Sequence, residues 1–385
     1  PIERDLEAMQ ELIEEGRKLF KKTESPYMKL RFAYQLIRLA HYAKDYELTL
    51  KLHDNLMPKI DKGVSRYEES ILKYWILGHK AGALKSLGEH VEASYLFSLI
   101  FENCPSPRES AFRSFYIRTD EEWTACEQMC KSDLERASLY ALRANASESK
   151  AVEEMQKIYE FAPQSHHLEV LLVQEILKME RNLLGLEFNS HKKDNKRLYG
   201  IPKAYAGDYV INLQAFARKC AKEEKVARPV LWHLAEGYLL FLAGDNYQAG
   251  KTFQEVKRKV DDEFLEEQLE VFELALKISA FQEADEEMEN EVYDILKDND
   301  LFKNYKSFPD YLRDKLEVLY TVAGHPGKAF LCQHPIIDLE PNAREDILQD
   351  LIVVMTADSI FTMTCWCLPS GSNRLNNIQP KTFEK

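Results

Sequence analysis

A seven-residue phrase occurs twice in the chain. Leu87-Gly88-Glu89-His90-Val91-Glu92-Ala93 and Ala243-Gly244-Asp245-Asn246-Tyr247-Gln248-Ala249 share glycine at the second place and alanine at the last. Each is followed, four residues after the alanine, by a phenylalanine: Phe97 and Phe253. Each is preceded by an apolar, amphipathic run. A helix–turn–helix phrase that returns is the signature of a repeat array, in which one hairpin cannot bury its apolar face without the next. It also moves the functional expectation from chemistry toward binding.

Composition supports a helical chain. With only 14 glycines and 14 prolines among 385 residues, few breaks are available for an all-β or loop-rich protein. Hydrophobic residues at 45% and charged residues at 30% describe a folded chain rather than a disordered one. The net charge of −13, without a long basic stripe, argues against nucleic acid, which needs a basic face to displace counterions. Acid concentrates at Asp261 to Glu263, Glu266-Glu267 and Asp285 to Glu291, read as solvated helix faces. No apolar run approaches the ~20 residues that span a bilayer. Seven irregularly spaced cysteines make a poor disulfide framework and point to a reducing, cytoplasmic setting. The start at Pro1 reads as a processed or truncated segment, and export would instead place it in the cell envelope or periplasm.

Apolar periodicity predicts helices along nearly the whole chain, beginning with Leu6, Met9, Leu12, Ile13 and Leu19. No period-two pattern long enough for a sheet is present. The expected fold is all-α, an irregular α-solenoid of antiparallel hairpins. Residues 1–188 are expected to form one helical array and 208–368 a second. Between them, 189–207 reads as a basic loop, and 369–385 as a polar tail.

The stretch from Leu77 to Pro105 resembles the tetratricopeptide repeat. The resemblance rests on Ala81, Gly88, Ala93, Phe97 and Pro105. Small residues at Ala81 and Ala93 let two helices approach, Phe97 fills the wedge to the next hairpin, and Gly88 ends its helix in a left-handed conformation. A second good match carries Gly237, Gly244, Ala249 and Phe253, without the terminal proline. Weaker matches run Leu30 to Ile60, with Thr49 in place of alanine, Ser132 to Pro163, and around Gly324 and Ala329. Phe32 to Tyr46 and Tyr74 to Pro105 are also similar to large tetratricopeptide-like proteins of Bacteroidetes, some of them envelope lipoproteins. No lipid-attachment cysteine accompanies that similarity here.

The resemblance implies a groove lined by the first helix of each hairpin. Its groove positions fall on Arg31, Tyr34, Arg38, His41 and Tyr42 in the match from Leu30 to Ile60. In the unit from Tyr74 they fall on Trp75, Gly78, Gly82, Lys85 and Ser86, and in the unit from Val230 on Leu231, Leu234, Tyr238, Phe241 and Leu242, a set apolar enough to be buried. The cationic and aromatic set suits an acidic or C-terminal carboxylate of a protein or peptide partner. The carboxylate clamp used by some family members is not reproduced.

No catalytic residue, cofactor or metal site is expected. Cys126 and Cys130 lack a second pair of ligands and read as helix-face residues, as does the pair Cys365 and Cys367. His166-His167 reads as the start of a helix. No phosphate loop, dinucleotide fingerprint or nucleophile elbow occurs. The expected function is a non-enzymatic interaction scaffold. The alternatives are a structural subunit of a larger assembly, or an accessory domain of a longer enzyme.

Overall fold

A computed structural model describes residues 5–60, 70–146, 149–187, 206–298, 307–334, 336–339 and 344–356. Among these residues there are 18 α-helices and no strand, an all-α, solenoid-like fold. The chain divides into two compact units, residues 1–173 with 225–227, and 174–224 with 228–385. The basic loop and the polar tail expected from the sequence, and Cys365 with Cys367, lie outside the described residues.

The first unit opens with α1 (Leu6–Lys22), α2 (Pro26–Tyr42), α3 (Tyr46–Leu56), α4 (Leu72–Leu87) and α5 (His90–Asn103). It continues with α6 (Arg108–Ser114), α7 (Asp120–Met129), α8 (Asp133–Ala144), α9 (Ala151–Phe161) and the start of α10 (His166–Glu187). Helix α2 packs on α1, on its hairpin partner α3 and on α4, and α3 packs on α4 as well. Each hairpin is thus covered by the first helix of the next. Ile13 and Phe20 from α1, Leu30, Leu36 and Ile37 from α2, Leu52 from α3 and Ile76 from α4 form one continuous core.

The second unit contains α11 (Ala206–Glu223), α12 (Pro229–Leu242), α13 (Asn246–Lys257), α14 (Glu263–Ser279) and α15 (Glu286–Asp298). It closes with α16 (Ser307–Val322), α17 (Pro326–Gln333) and α18 (Glu345–Thr356). The arrangement repeats: α12 packs on α13 and α14, and α13 packs on α14. Helices α14 to α18 share a core that includes Ile278, Val292, Leu312, Tyr320 and Leu351.

The recurring phrase is a recurring turn. Gly88, Gly244 and Gly324 all take left-handed backbone, with φ of 95°, 85° and 79°. Each donates its N–H to the carbonyl three residues back, Lys85, Phe241 and Thr321 respectively. The following residue donates to the carbonyl five back: Glu89 to Leu84 at 3.0 Å, Asp245 to Leu240 at 3.0 Å and His325 to Tyr320 at 2.8 Å. This double closure satisfies carbonyls that a helix end leaves open. The α2–α3 hairpin makes the same two bonds, Lys44 to His41 and Asp45 to Ala40, with Lys44 at φ 62° in the left-handed place. Glycine pays no steric penalty there, whereas lysine does.

The residues after the turn also correspond. Thr49, Ala93, Ala249 and Ala329 are all buried. Thr49 substitutes for alanine because its hydroxyl donates to Asp45 O at 2.8 Å, leaving only its methyl to pack. Ala81 is fully buried, and Phe97 and Phe253 are buried. Asp245 caps α13, its carboxylate accepting from Gln248 N at 3.1 Å. Asp245→Ala is expected to lower the stability of the second unit by about 1 kcal/mol in urea denaturation.

Candidate functional site

Helix α2 places Tyr27, Arg31, Tyr34, Arg38 and Tyr42 three or four residues apart, so they share one stripe. Arginine and tyrosine interleave along it. The Arg38 guanidinium lies 5.2 Å from the Tyr42 ring and 6.0 Å from Tyr34, and Arg31 lies 5.9 Å from Tyr27. Stacking of this kind holds a planar cation in place while its N–H groups stay available.

The inner edge of the stripe opens onto a cleft of about 360 Å³. Tyr34, His41 and Tyr42 come from α2, and Tyr74, Trp75, Gly78, His79 and Gly82 from α4. Phe97 and Ile100 of α5 lie at its base, and Ser110, Ala111 and Ser114 of α6 complete the wall. Tyr34 and Trp75 meet with ring centroids 5.5 Å apart, and Tyr42 meets His79 edge-on at 5.7 Å. Trp75 and Tyr42 keep 36% and 42% of their surface exposed, enough to offer a face to a ligand.

Two histidines tie the helices together. His41 Nδ1 and His79 Nδ1 are 2.8 Å apart, so one donates and the other accepts. Burial, then the charges of His41 and Arg38, push the His79 pKa down to about 4. His79 is therefore neutral at pH 7. Gly82 makes the approach possible: a Cβ there would sit 3.0 Å from His41 Cε1 and 3.1 Å from His41 Nε2.

Of the groove residues expected from the sequence, Tyr34, His41, Tyr42 and Trp75 share this cleft, together with Gly78 and Gly82. Arg38 stacks on two of the lining rings; Arg31 stands further along the stripe, on Tyr27. Lys85 does not join them. Its ammonium donates to Ser114 O at 2.9 Å and lies 5.6 Å from the Tyr116 ring. His79 was not among the expected residues, although it stands one helical turn beyond Trp75.

The third set belongs to the interior. Leu234, Tyr238, Phe241 and Leu242 are buried, and Tyr238 stacks on Phe272 at 3.9 Å with the rings 8° from parallel. This is the buried alternative that their apolar character allowed.

Among the described residues, three thiols are held away from nucleophilic character. Cys104, Cys126, Cys130, Cys220 and Cys332 are all buried. Burial pushes Cys126 and Cys220 up to about 12 and Cys130 to about 11. A thiol so raised is protonated at neutral pH. Compared with protein-family models, with curated proteins and with solved structures, the chain matches none.

Proposed function

We propose that the chain is a non-enzymatic binding scaffold of tetratricopeptide-like hairpins that takes an acidic peptide segment of a partner protein in the Tyr34–Trp75 cleft. One observation carries this reading: four residues chosen by repeat position, on two helices, line a single open cleft. The aromatic rings supply contact area at low entropic cost. Arg38 supplies charge and directional donors at the rim, and Arg31 extends that charge along α2. His79, neutral, offers a polar edge without competing for the anion. The four matching turns support the family reading, because they place a small buried residue at the same position in each hairpin.

The test uses a library of acidic peptides, with and without a free C-terminal carboxylate, read by anisotropy and by tryptophan emission. Trp75 is exposed while Trp123 and Trp232 are buried, and Trp366 lies outside the described residues, so the change in emission that is lost in Trp75→Phe reports on the cleft. Binding is expected to change that emission. Arg38→Glu is expected to weaken it at least about tenfold, the effect of losing one central charged contact. Affinity unchanged in both Arg38→Glu and Trp75→Ala would remove the cleft from consideration.

A further inference from the structure

Glu102, His166 and His167 converge in the first unit and share no residue with the cleft. Glu102 stands near the end of α5, and the two histidines open α10. One ligand atom from each lies within 4.8 Å of the other two. His167 Nε2 is 2.5 Å from Glu102 Oε2. Adjacent residues on a regular helix diverge, but here the imidazole rings lie only 4.0 Å apart.

The surroundings hold two of the three groups in place. His167 is buried, its ring stacked 15° from parallel on Phe101 at 5.4 Å. The Glu102 carboxylate accepts from Ser138 Oγ at 2.5 Å, an outer-shell contact of the kind that orients a ligating carboxylate. His166 is exposed and can swing toward the other two.

We propose that Glu102, His166 and His167 form a three-ligand site for a zinc-class divalent cation, with water in the remaining position. Two imidazoles and one carboxylate are a recurrent zinc donor set, with bonds of about 2.0–2.2 Å. Donors on one tetrahedral ion stand roughly 3.4 Å apart at those bond lengths. His167 and Glu102 must therefore separate by just under 1 Å, and the ion replaces the hydrogen bond between them. Alkaline-earth ions, which want six or more oxygens, are poorly matched to this set.

Two features oppose a cation. The start of α10 carries the positive end of its dipole. Arg108 is also close, although its guanidinium is engaged with the carbonyls of Phe101 at 2.9 Å and Glu102 at 3.4 Å. Binding thus rests on the ligand bonds rather than on the local field.

The experiment titrates Zn²⁺ alone into the chelator-treated full chain by calorimetry, with Co²⁺ as the spectroscopic probe. Stoichiometric Zn²⁺ binding and visible Co²⁺ bands without thiolate charge transfer are expected. His166→Ala, at an exposed position, should keep the apo melting temperature while weakening Zn²⁺ at least about tenfold, as expected on loss of one ligand. Glu102→Gln should weaken it similarly, and circular dichroism checks that it folds. Thiolate charge-transfer bands, or Zn²⁺ affinity unchanged in His166→Ala, would overturn the assignment, as would absence of binding by the unmodified chain.

Discussion

Gly237→Ala lowers the stability of the second unit by about 2 kcal/mol, the net of two opposed effects. An alanine in a helix interior gains about 1 kcal/mol over glycine through backbone entropy. Against this, a Cβ at residue 237 would lie 2.6 Å from Phe253 Cε1, 2.8 Å from Phe253 Cδ1 and 3.2 Å from Thr252 Cγ2. Phe253 is 1% exposed, and its ring also faces Phe272 at 6.0 Å, so it has no open side into which to turn. Overpacking of a closed core costs about 1–3 kcal/mol, and a collision with a ring held on both sides belongs at the upper end.

Urea denaturation of the full chain, following the transition of the second unit, gives the number. A double variant gives the cause. Phe253→Ala alone should cost about 3–5 kcal/mol through the cavity it leaves. Combined with Gly237→Ala, the cost should fall below the sum, because the new methyl occupies part of the space the ring vacated. Strict additivity would mean that Gly237 and Phe253 do not press on each other.

Acid destabilises the first unit through His79. The group titrates near 6.5 in the unfolded chain and at about 4 in the fold. Between those values the unfolded chain binds a proton that the folded chain refuses. Stability is therefore full above pH 6.5, falls as the pH drops, and reaches its floor near 4. The ring is partly open to solvent, which screens the effect, so about 1–2 kcal/mol is expected rather than the full shift converted. His41 and Arg38 from α2 are the charged or titratable groups that oppose the proton, and the Tyr34 and Tyr42 rings flank it.

His79→Gln should flatten this part of the pH–stability curve. The comparison with the unmodified chain matters, because burial also lowers His53, His166 and His233. Identical pH profiles for the two proteins would show that His79 is not the group responsible.

The sequence exposes the fold where local chemistry repeats. The glycine of each good phrase must be left-handed, and a small residue must follow it into the interface. The α2–α3 hairpin was harder to recognise because two places are filled differently: Lys44 stands where glycine is expected, and Thr49 where alanine is. Only the structure shows that the threonine hydroxyl is absorbed by Asp45 O. Arg31, Tyr34, Arg38, His41 and Tyr42 are legible only through the groove positions that the repeat resemblance implies. The Lys85 side chain reaches Ser114, on an element whose placement spacing along α4 cannot give. The α6 wall is hidden for the same reason, since spacing along α2 and α4 does not place a third element against them. Glu102 meets His167 across 65 positions of chain, a pairing no local pattern announces.

The repeated turn has a kinetic consequence. Its two closing bonds join residues three and five apart, so a hairpin can form before any distant contact is made. Folding in such a chain can start at several hairpins and spread to neighbours, with little loop-closure delay. The four starting points are unequal. Lys44 strains the α2–α3 turn, whereas glycine relaxes the other three. The α2–α3 hairpin thus closes its turn against a conformational cost that the other three are spared.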